Sequence, residues 1–199
     1  MQSRERYFVP PNQSIDDIPI DIKHLYFCGN NDDIDKLDFS ALSFTNLKSI
    51  TIGQGCLKDV REFVIDGLES LESVKIGDEC FYIDNNERDD GLCRIMNCPN
   101  LRQLEIGDWS FHDYKSFELS NVNSIQSIKF GNSCFGYADF SLKGEWKEKK
   151  RKKCDLNANG NEALDLPSLE IVTFGECSFG DCHVAVFESM LWFSFHFSF

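Results

Sequence analysis

Apolar residues recur along the chain in five segments that align without gaps. The segments are NLKSITIGQGCL, SLESVKIGDECF, NLRQLEIGDWSF, SIQSIKFGNSCF and SLEIVTFGECSF. We number each segment from its first apolar residue, so that positions 1, 4, 6 and 11 are apolar in every copy. Position 7 is always glycine, at Gly53, Gly77, Gly107, Gly131 and Gly175. In a chain with 42% apolar residues, this regularity indicates a structural repeat.

The spacing of the glycines gives the length of the repeat unit. Successive glycines are 24, 30, 24 and 44 residues apart, which indicates a 24-residue unit with insertions at about 82–92 and 143–163. The second half of the unit repeats as well. Its apolar trios are Phe63, Ile65 and Leu68; Cys93, Ile95 and Cys98; and Phe117, Leu119 and Val122. A degenerate earlier unit begins at Ile22, so about six units span residues 22–190.

This pattern predicts a solenoid that is mainly β. Alternation at positions 4 and 6 is typical of a strand with one buried face. Glycine at position 7 is expected to provide a sharp turn. Only five residues separate position 11 from the second trio in the unbroken units, too few for two helical turns, so a second short strand is predicted there. Residues 1–21 are expected to be a loosely ordered extension, and residues 191–199 an irregular apolar tail.

The pattern LxxLxIGxxxF resembles the leucine-rich repeat LxxLxLxxNxL, and its ending resembles the BspA-like class that is common in protists. The resemblance implies a right-handed coil of about six 24-residue turns with short strands on both faces. The chain departs from the family at position 9, where asparagine is usual, so no asparagine ladder is expected at that position. The residues there are Gly55, Glu79, Trp109, Ser133 and Cys177.

The number of cysteines, nine, is odd, and this favours reduced thiols over disulfides. Position 10 is always small, and we expect its residues to fill inward slots beside position 11. These residues are Cys56, Cys80, Ser110, Cys134 and Ser178. The pairs Cys93-x4-Cys98 and Cys177-x4-Cys182-His183 are spaced more widely than typical zinc ligands. Neither a metal nor another cofactor is expected.

Charge and missing motifs narrow the function classes. A net charge of −13 argues against a nucleic-acid footprint, and no apolar window is long enough for a membrane-spanning helix. The first residues lack an apolar signal stretch, so a cytoplasmic location is expected. The basic run Lys147–Lys153 is either a solvated loop or a nuclear localisation signal.

No catalytic motif appears, so we expect no enzymatic activity and no small-molecule substrate. The four histidines are scattered, and His112 is interpreted as a solvated turn residue. The chain is expected to be a monomeric binding scaffold for a protein partner. The alternative, a cell-surface or adhesion protein, is what the BspA-like resemblance would imply, and it requires export.

Candidate contact residues lie at the polar positions 2, 3, 5 and 8, which should point away from the core on the concave face. This face is mixed in charge and poor in aromatic residues, whereas aromatic anchors are placed at the edge of the turns, Tyr82 among them. The predicted partner-binding residues are Lys75, Arg102, Glu105 and Lys129 on the face, and Trp109 and Tyr114 at the edge.

Overall fold

The computed structural model describes residues 4–11, 13–29, 34–40, 43–82, 91–143, 171–178, 185–187 and 196–197. Within these ranges the chain forms fourteen strands and one three-residue 3₁₀ helix, Ile15–Asp17. The strands are β1 (Arg4–Val9), β2 (Ile22–Phe27), β3 (Lys36–Asp38), β4 (Ser49–Ile52), β5 (Glu62–Asp66), β6 (Ser73–Ile76), β7 (Leu92–Met96), β8 (Gln103–Ile106), β9 (Ser116–Ser120), β10 (Ser127–Phe130), β11 (Asp139–Lys143), β12 (Ile171–Phe174), β13 (Ala185–Phe187) and β14 (His196–Phe197).

The strands form two parallel sheets. The first has the order β1-β2-β4-β6-β8-β10-β12-β14, and the second has the order β13-β11-β9-β7-β5-β3. From β2 to β13 the chain alternates between the sheets, so each strand pairs with its counterpart in the neighbouring unit. The register matches position for position, since Ile50 is opposite Val74 and Val74 is opposite Leu104. The prediction of a mainly β chain, with a short strand in each half of the unit, is confirmed.

The core lies between the two sheets. Where the structure describes positions 1, 4, 6 and 11, their side chains are buried, and so are the three trios of the second strand. Position 11 forms a stack of parallel rings across consecutive units. The ring centroids of Phe81 and Phe111 are 4.3 Å apart, and those of Phe111 and Phe135 are 4.8 Å apart. Such offset aromatic stacks add to the free energy gained by burial alone.

Glycine at position 7 serves a different purpose from the predicted turn. Among the glycines of the described chain, only Gly29, Gly55 and Gly67 have positive φ, and none of these is at position 7. A Cβ added to Gly107 would lie 2.5 Å from the carbonyl carbon of Gly77 in the preceding unit. The prediction of a turn glycine was therefore wrong: the residue is required because neighbouring backbones approach too closely for a side chain.

The left-handed backbone conformation occurs instead at positions 9 and 11. Positive φ is found at Gly55, Glu79, Trp109, Ser133 and Cys177, and at Leu57, Phe81, Phe111 and Phe135. This conformation costs an L residue roughly 1–2 kcal/mol. At position 11 the cost is offset because the side chain is buried in the ring stack.

Position 10 is a ladder of side-chain donors. Four of the five position-10 residues donate to the position-7 carbonyl of the preceding unit, and Cys56 Sγ donates instead to the Phe27 carbonyl at 3.8 Å. The donor–acceptor distances are 2.9 Å for Cys80 Sγ to Gly53, 2.7 Å for Ser110 Oγ to Gly77, 2.9 Å for Cys134 Sγ to Gly107, and 2.6 Å for Ser178 Oγ to Gly131. The slot therefore requires a small side chain that also donates a hydrogen bond, and both Cys and Ser meet this requirement.

A second ladder runs along position 8, one residue before the site of the asparagine in the resembled repeat. The Oδ1 atom of Asp78 accepts the backbone N–H of Asp108 at 2.9 Å. Asp108 Oδ1 accepts the backbone N–H of Asn132 at 2.8 Å, and Asn132 Oδ1 accepts that of Glu176 at 2.9 Å. These side chains bond backbone N–H groups that lie just beyond the strand ends.

The two ends of the chain differ from the predictions. Residues 1–21 were expected to be loosely ordered, but residues 4–9 form β1, which pairs in parallel with β2. Val9 is buried and Phe8 stacks on Tyr26 at 4.8 Å, so β1 packs as one further strand of the first sheet. In the predicted irregular tail, β14 pairs with β12. Most of both insertions, including Lys147–Lys153, lies outside the described residues.

A substitution at position 7 tests the close approach of the units. Gly107→Ala is expected to lower the free energy of unfolding by about 2 kcal/mol or more, because its Cβ would meet backbone atoms that cannot move aside. Gly53→Ala is the matched control, since its Cβ would lie 3.3 Å from the Phe27 carbonyl oxygen, and its loss should be about 1 kcal/mol or less. Urea denaturation measures both, and equal losses would contradict the explanation.

The thiols of the position-10 ladder make stability depend on pH. Burial raises the pKa of Cys80 and of Cys134 from the ordinary value of 9.0 to about 12. Between these values the folded chain keeps protons that the unfolded chain loses, so the free energy of unfolding should fall as pH rises above about 9. A Cys80→Ser, Cys134→Ser variant keeps both donors without titrating, and it should lose less stability between about pH 8 and about pH 10.5. Urea denaturation at both pH values measures the loss of stability. Equal losses for wild type and the variant would contradict the explanation.

Candidate functional site

The exposed side of the first sheet, which we call the strand face, carries side chains from positions 2, 3 and 5. Four of the predicted contact residues lie there. Lys75 Nζ is 3.1 Å from Glu105 Oε2, and Lys129 Nζ is 3.2 Å from Glu105 Oε1. Partial burial opposes ionisation of Glu105, but the hydrogen bonds from the two lysines outweigh it and lower its pKa. Arg102 is exposed on the same face.

The ion pairs of the strand face reduce its value as a binding surface. Lys48 Nζ is 2.9 Å from Glu72 Oε1, and this hydrogen bond lowers the pKa of Glu72. A partner would have to compete with these contacts for the charged groups. Exposed pairs of this kind contribute little stability, about 0–1 kcal/mol each. The structure therefore brings together Lys75, Glu105 and Lys129, but it joins them to one another.

A different surface is formed where the turns leave the first sheet. Four ring-bearing side chains meet there, and we call them the aromatic edge: Tyr82, Trp109, His112 and Tyr137. His112 is the centre, with ring-centroid distances of 6.1 Å to Tyr82, 5.2 Å to Trp109 and 5.5 Å to Tyr137. Its Nδ1 lies 2.9 Å from the Ser133 carbonyl oxygen. Because a carbonyl only accepts, Nδ1 carries the hydrogen, and the ring orientation is fixed.

A surface pocket of about 310 Å³ adjoins the aromatic edge. Its lining residues are Lys58, Glu79, Tyr82 and Trp109. The volume lies at the lower end of the range for small-ligand sites, and it suits a single side chain or a short segment. The described part of its lining thus combines two aromatic side chains with Lys58 and Glu79.

Trp109 is conspicuous because its conformation is costly and its side chain is not buried. Its φ is 58°, in the left-handed region, and its side chain is 48% exposed. Gly55 and Ser133 occupy the same position in other units. At position 11 burial offsets the cost of this conformation, whereas the exposed Trp109 is held by a backbone hydrogen bond from its N–H to the Asn132 carbonyl at 2.8 Å and by the ring contact with His112. The fold therefore does not require an indole at this position.

Tyr114 is a correction to the predicted contact set. It was placed at the edge of the turns, but it is fully buried, and its hydroxyl donates to the Val60 carbonyl. Its ring packs edge-on against Phe111 at 4.8 Å. Val60 and Ala138 fill the equivalent position in other units, so position 14 is a further core slot. This apolar recurrence is the signal that would have assigned Tyr114 to the core.

Sequence analysis also missed part of the aromatic edge. His112 was interpreted as a solvated turn residue, but it is half-buried among three aromatic rings. Lys58, Glu79 and Tyr137 were not selected. Positions 9 and 12 flank the buried positions 10 and 11, which is why their side chains reach the surface together.

Of the two cysteine pairs considered for metal binding, only Cys93 and Cys98 lie entirely within the described residues. Cys93 lies in the core, where burial raises its pKa well above the usual range. Cys98 Sγ donates to the Met96 carbonyl at 3.2 Å, and burial raises its pKa to about 11. Cys182 and His183 lie outside the described residues. Among the residues described, no three of His, Cys, Asp and Glu meet in a way that could hold a metal ion.

Comparisons with protein-family models, with curated proteins and with solved structures find no match for this chain. In the part of the chain that the structure covers, no helix has the length and apolar character needed to cross a membrane.

Two glycine substitutions test whether Trp109 serves the fold. Trp109→Gly should change the free energy of unfolding by no more than about 1 kcal/mol, because relief of the left-handed backbone offsets the lost ring contact. Phe111→Gly removes the same conformational cost but also a buried ring, so it should lose about 3 kcal/mol or more. Urea denaturation compares the two, and a comparable loss for Trp109→Gly would assign the indole a structural role.

Proposed function

We propose that the chain is a right-handed leucine-rich-repeat-like solenoid of the BspA-like class that acts as a non-enzymatic scaffold for a protein partner. The two parallel sheets, the 24-residue spacing and the position-by-position register support this architecture. Right-handed crossovers between parallel strands are strongly favoured, which supports the proposed hand. Extended repeat structures of this type typically present long surfaces for binding.

The observation that carries the proposal is the exposed indole of Trp109. Tryptophan and tyrosine are the residues most often found at energetically dominant positions of protein interfaces. Here an indole occupies a conformation that glycine would adopt more readily, and it keeps about half of its surface in solvent. The neighbouring Tyr82 and Tyr137 extend the same apolar surface through their contacts with His112. Desolvation of these rings by a partner would supply binding free energy.

The strand face supports binding less strongly. Its lysines are already paired with Glu105 and Glu72, so a partner gains only the difference between old and new ion pairs. We therefore place the main contact at the aromatic edge and assign Lys75, Arg102, Glu105 and Lys129 to the periphery.

Capture of partners from native cells tests this function. We would cross-link cells that express tagged wild type, Trp109→Gly or Gln103→Ala, where Gln103 is an exposed residue of the strand face that serves as the control. The expected result is one reproducible set of proteins with wild type and Gln103→Ala, and its loss with Trp109→Gly.

The possible outcomes separate the function from its location. If wild type captures no reproducible protein, the scaffold function is wrong. If partners persist with Trp109→Gly at wild-type levels, the scaffold function stands but the contact does not lie at the aromatic edge.

A further inference from the structure

Charge is distributed unevenly between the strand face and the aromatic edge. Among the described residues at positions 2, 3 and 5, five are basic and two are acidic. The basic ones are Lys23, Lys48, Lys75, Arg102 and Lys129, and the acidic ones are Glu72 and Glu105. At positions 8–13 the balance reverses, because five acidic residues that are at least partly exposed accompany one lysine. They are Asp59, Asp78, Glu79, Asp108 and Glu176, with Lys58. The aromatic edge is therefore the acidic side of the unit.

Two carboxylates next to the edge are held in place by hydrogen bonds. Asp78 and Asp108 accept backbone N–H groups from the next unit at 2.9 Å and 2.8 Å. Glu79 is exposed and lines the pocket together with Trp109. An incoming side chain would thus meet an aromatic surface and a carboxylate within one pocket of about 310 Å³.

This combination selects one side-chain type above the others. A guanidinium group is planar and permanently charged, it stacks on aromatic faces, and it donates to carboxylates in a bidentate manner. A lysine ammonium carries the same charge but cannot stack in this way, and a carboxylate would face repulsion from Glu79 and its neighbours.

We infer that the aromatic edge binds a basic segment of the protein partner through an arginine that stacks on Trp109 and donates to Glu79. This inference rests on the proposed scaffold function and names the chemistry of its partner. The net charge of −13 favours encounter with a basic segment, and the local excess of carboxylates at the edge directs that segment to the pocket.

Lys58 provides a test of whether the bound ligand is a cation or an anion. Lys58 lines the same pocket as Glu79, so its positive charge opposes a bound cation and would favour a bound anion. If arginine is the ligand, Lys58→Ala should strengthen binding and Glu79→Gln should weaken it. An anionic ligand would reverse both effects, so the two variants together identify the charge of the ligand.

The experiment is an NMR titration of the full ¹⁵N-labelled chain with a short peptide whose only charged side chains are two arginines. A peptide with citrulline in place of arginine and a peptide with glutamate in place of arginine are the matched probes. We expect the arginine peptide to shift the indole N–H resonance of Trp109, and the other two to leave it in place. Trp109→Gly and Glu79→Gln should each weaken binding about three- to tenfold, and Lys58→Ala should strengthen it.

Three results would overturn the inference. They are preferential binding of the glutamate peptide, equal binding of the citrulline peptide, and arginine-peptide binding that leaves the Trp109 indole unmoved. If the arginine peptide fails to bind while capture of cellular partners still depends on Trp109, the scaffold function stands and the arginine assignment alone is wrong.

Discussion

The rest of the structure depends on how closely successive units approach at position 7. Strands of one sheet are separated by about 4.8 Å, and the chain keeps that separation where each strand ends and the turn begins. Gly107 and Gly175 would place a Cβ 2.5 Å from a carbonyl carbon of the unit before. With this approach fixed, the position-7 carbonyls come within reach of the position-10 donors, and the position-8 side chains reach the next backbone. A side chain at Gly77, Gly107, Gly131 or Gly175 would separate these contacts, whereas a Cβ at Gly53 would lie 3.3 Å from the Phe27 carbonyl oxygen.

Two neighbouring positions show how the chain balances unfavourable conformations. Positions 9 and 11 both adopt positive φ in successive units, although Gly55 is the only glycine among these residues. The residue at position 11 is buried in a continuous ring stack, so packing outweighs the conformational cost. Position 9 is not buried in this way, but its backbone N–H donates to the position-8 carbonyl of the next unit, so residues as different as Gly55, Ser133 and Trp109 are tolerated. The backbone at position 9 is thus held by main-chain contacts that do not depend on its side chain.

The sequence predicts the buried positions well because burial has a period that can be counted. The alternation at positions 4 and 6 and the trio that begins at Phe63 identify both strands of the unit. Backbone φ values and side-chain hydrogen-bond donors do not follow the hydrophobic period, so the pattern of apolar residues does not reveal them. The role of glycine at Gly107 and the hydrogen bond of Cys80 therefore emerged only from the three-dimensional structure, whereas the apolar recurrence at position 14 already indicates the core location of Tyr114.

The candidate site was harder to predict for a related reason. It joins residues from neighbouring units, at positions 9, 12 and 13, and no single segment contains its pattern. Trp109 was identified because an aromatic residue stands out among polar neighbours. His112 was misinterpreted because its surroundings come from residues 25 to 30 positions away, Tyr82 and Tyr137. Sequence patterns within one unit describe the core, whereas this surface is a property of several units.

The exposed location of position 9 has an evolutionary consequence. Its side chain points away from the core. The backbone there is held by neighbouring positions of constant residue type, a large apolar residue such as Phe111 and a glycine such as Gly107. A new side chain at this position changes what the surface presents while the interior remains the same. Each added unit would contribute one more such position to the same edge. In the proposed function, recognition and folding would therefore be encoded by separate residues, so that substitutions at position 9 could change binding specificity without altering the architecture.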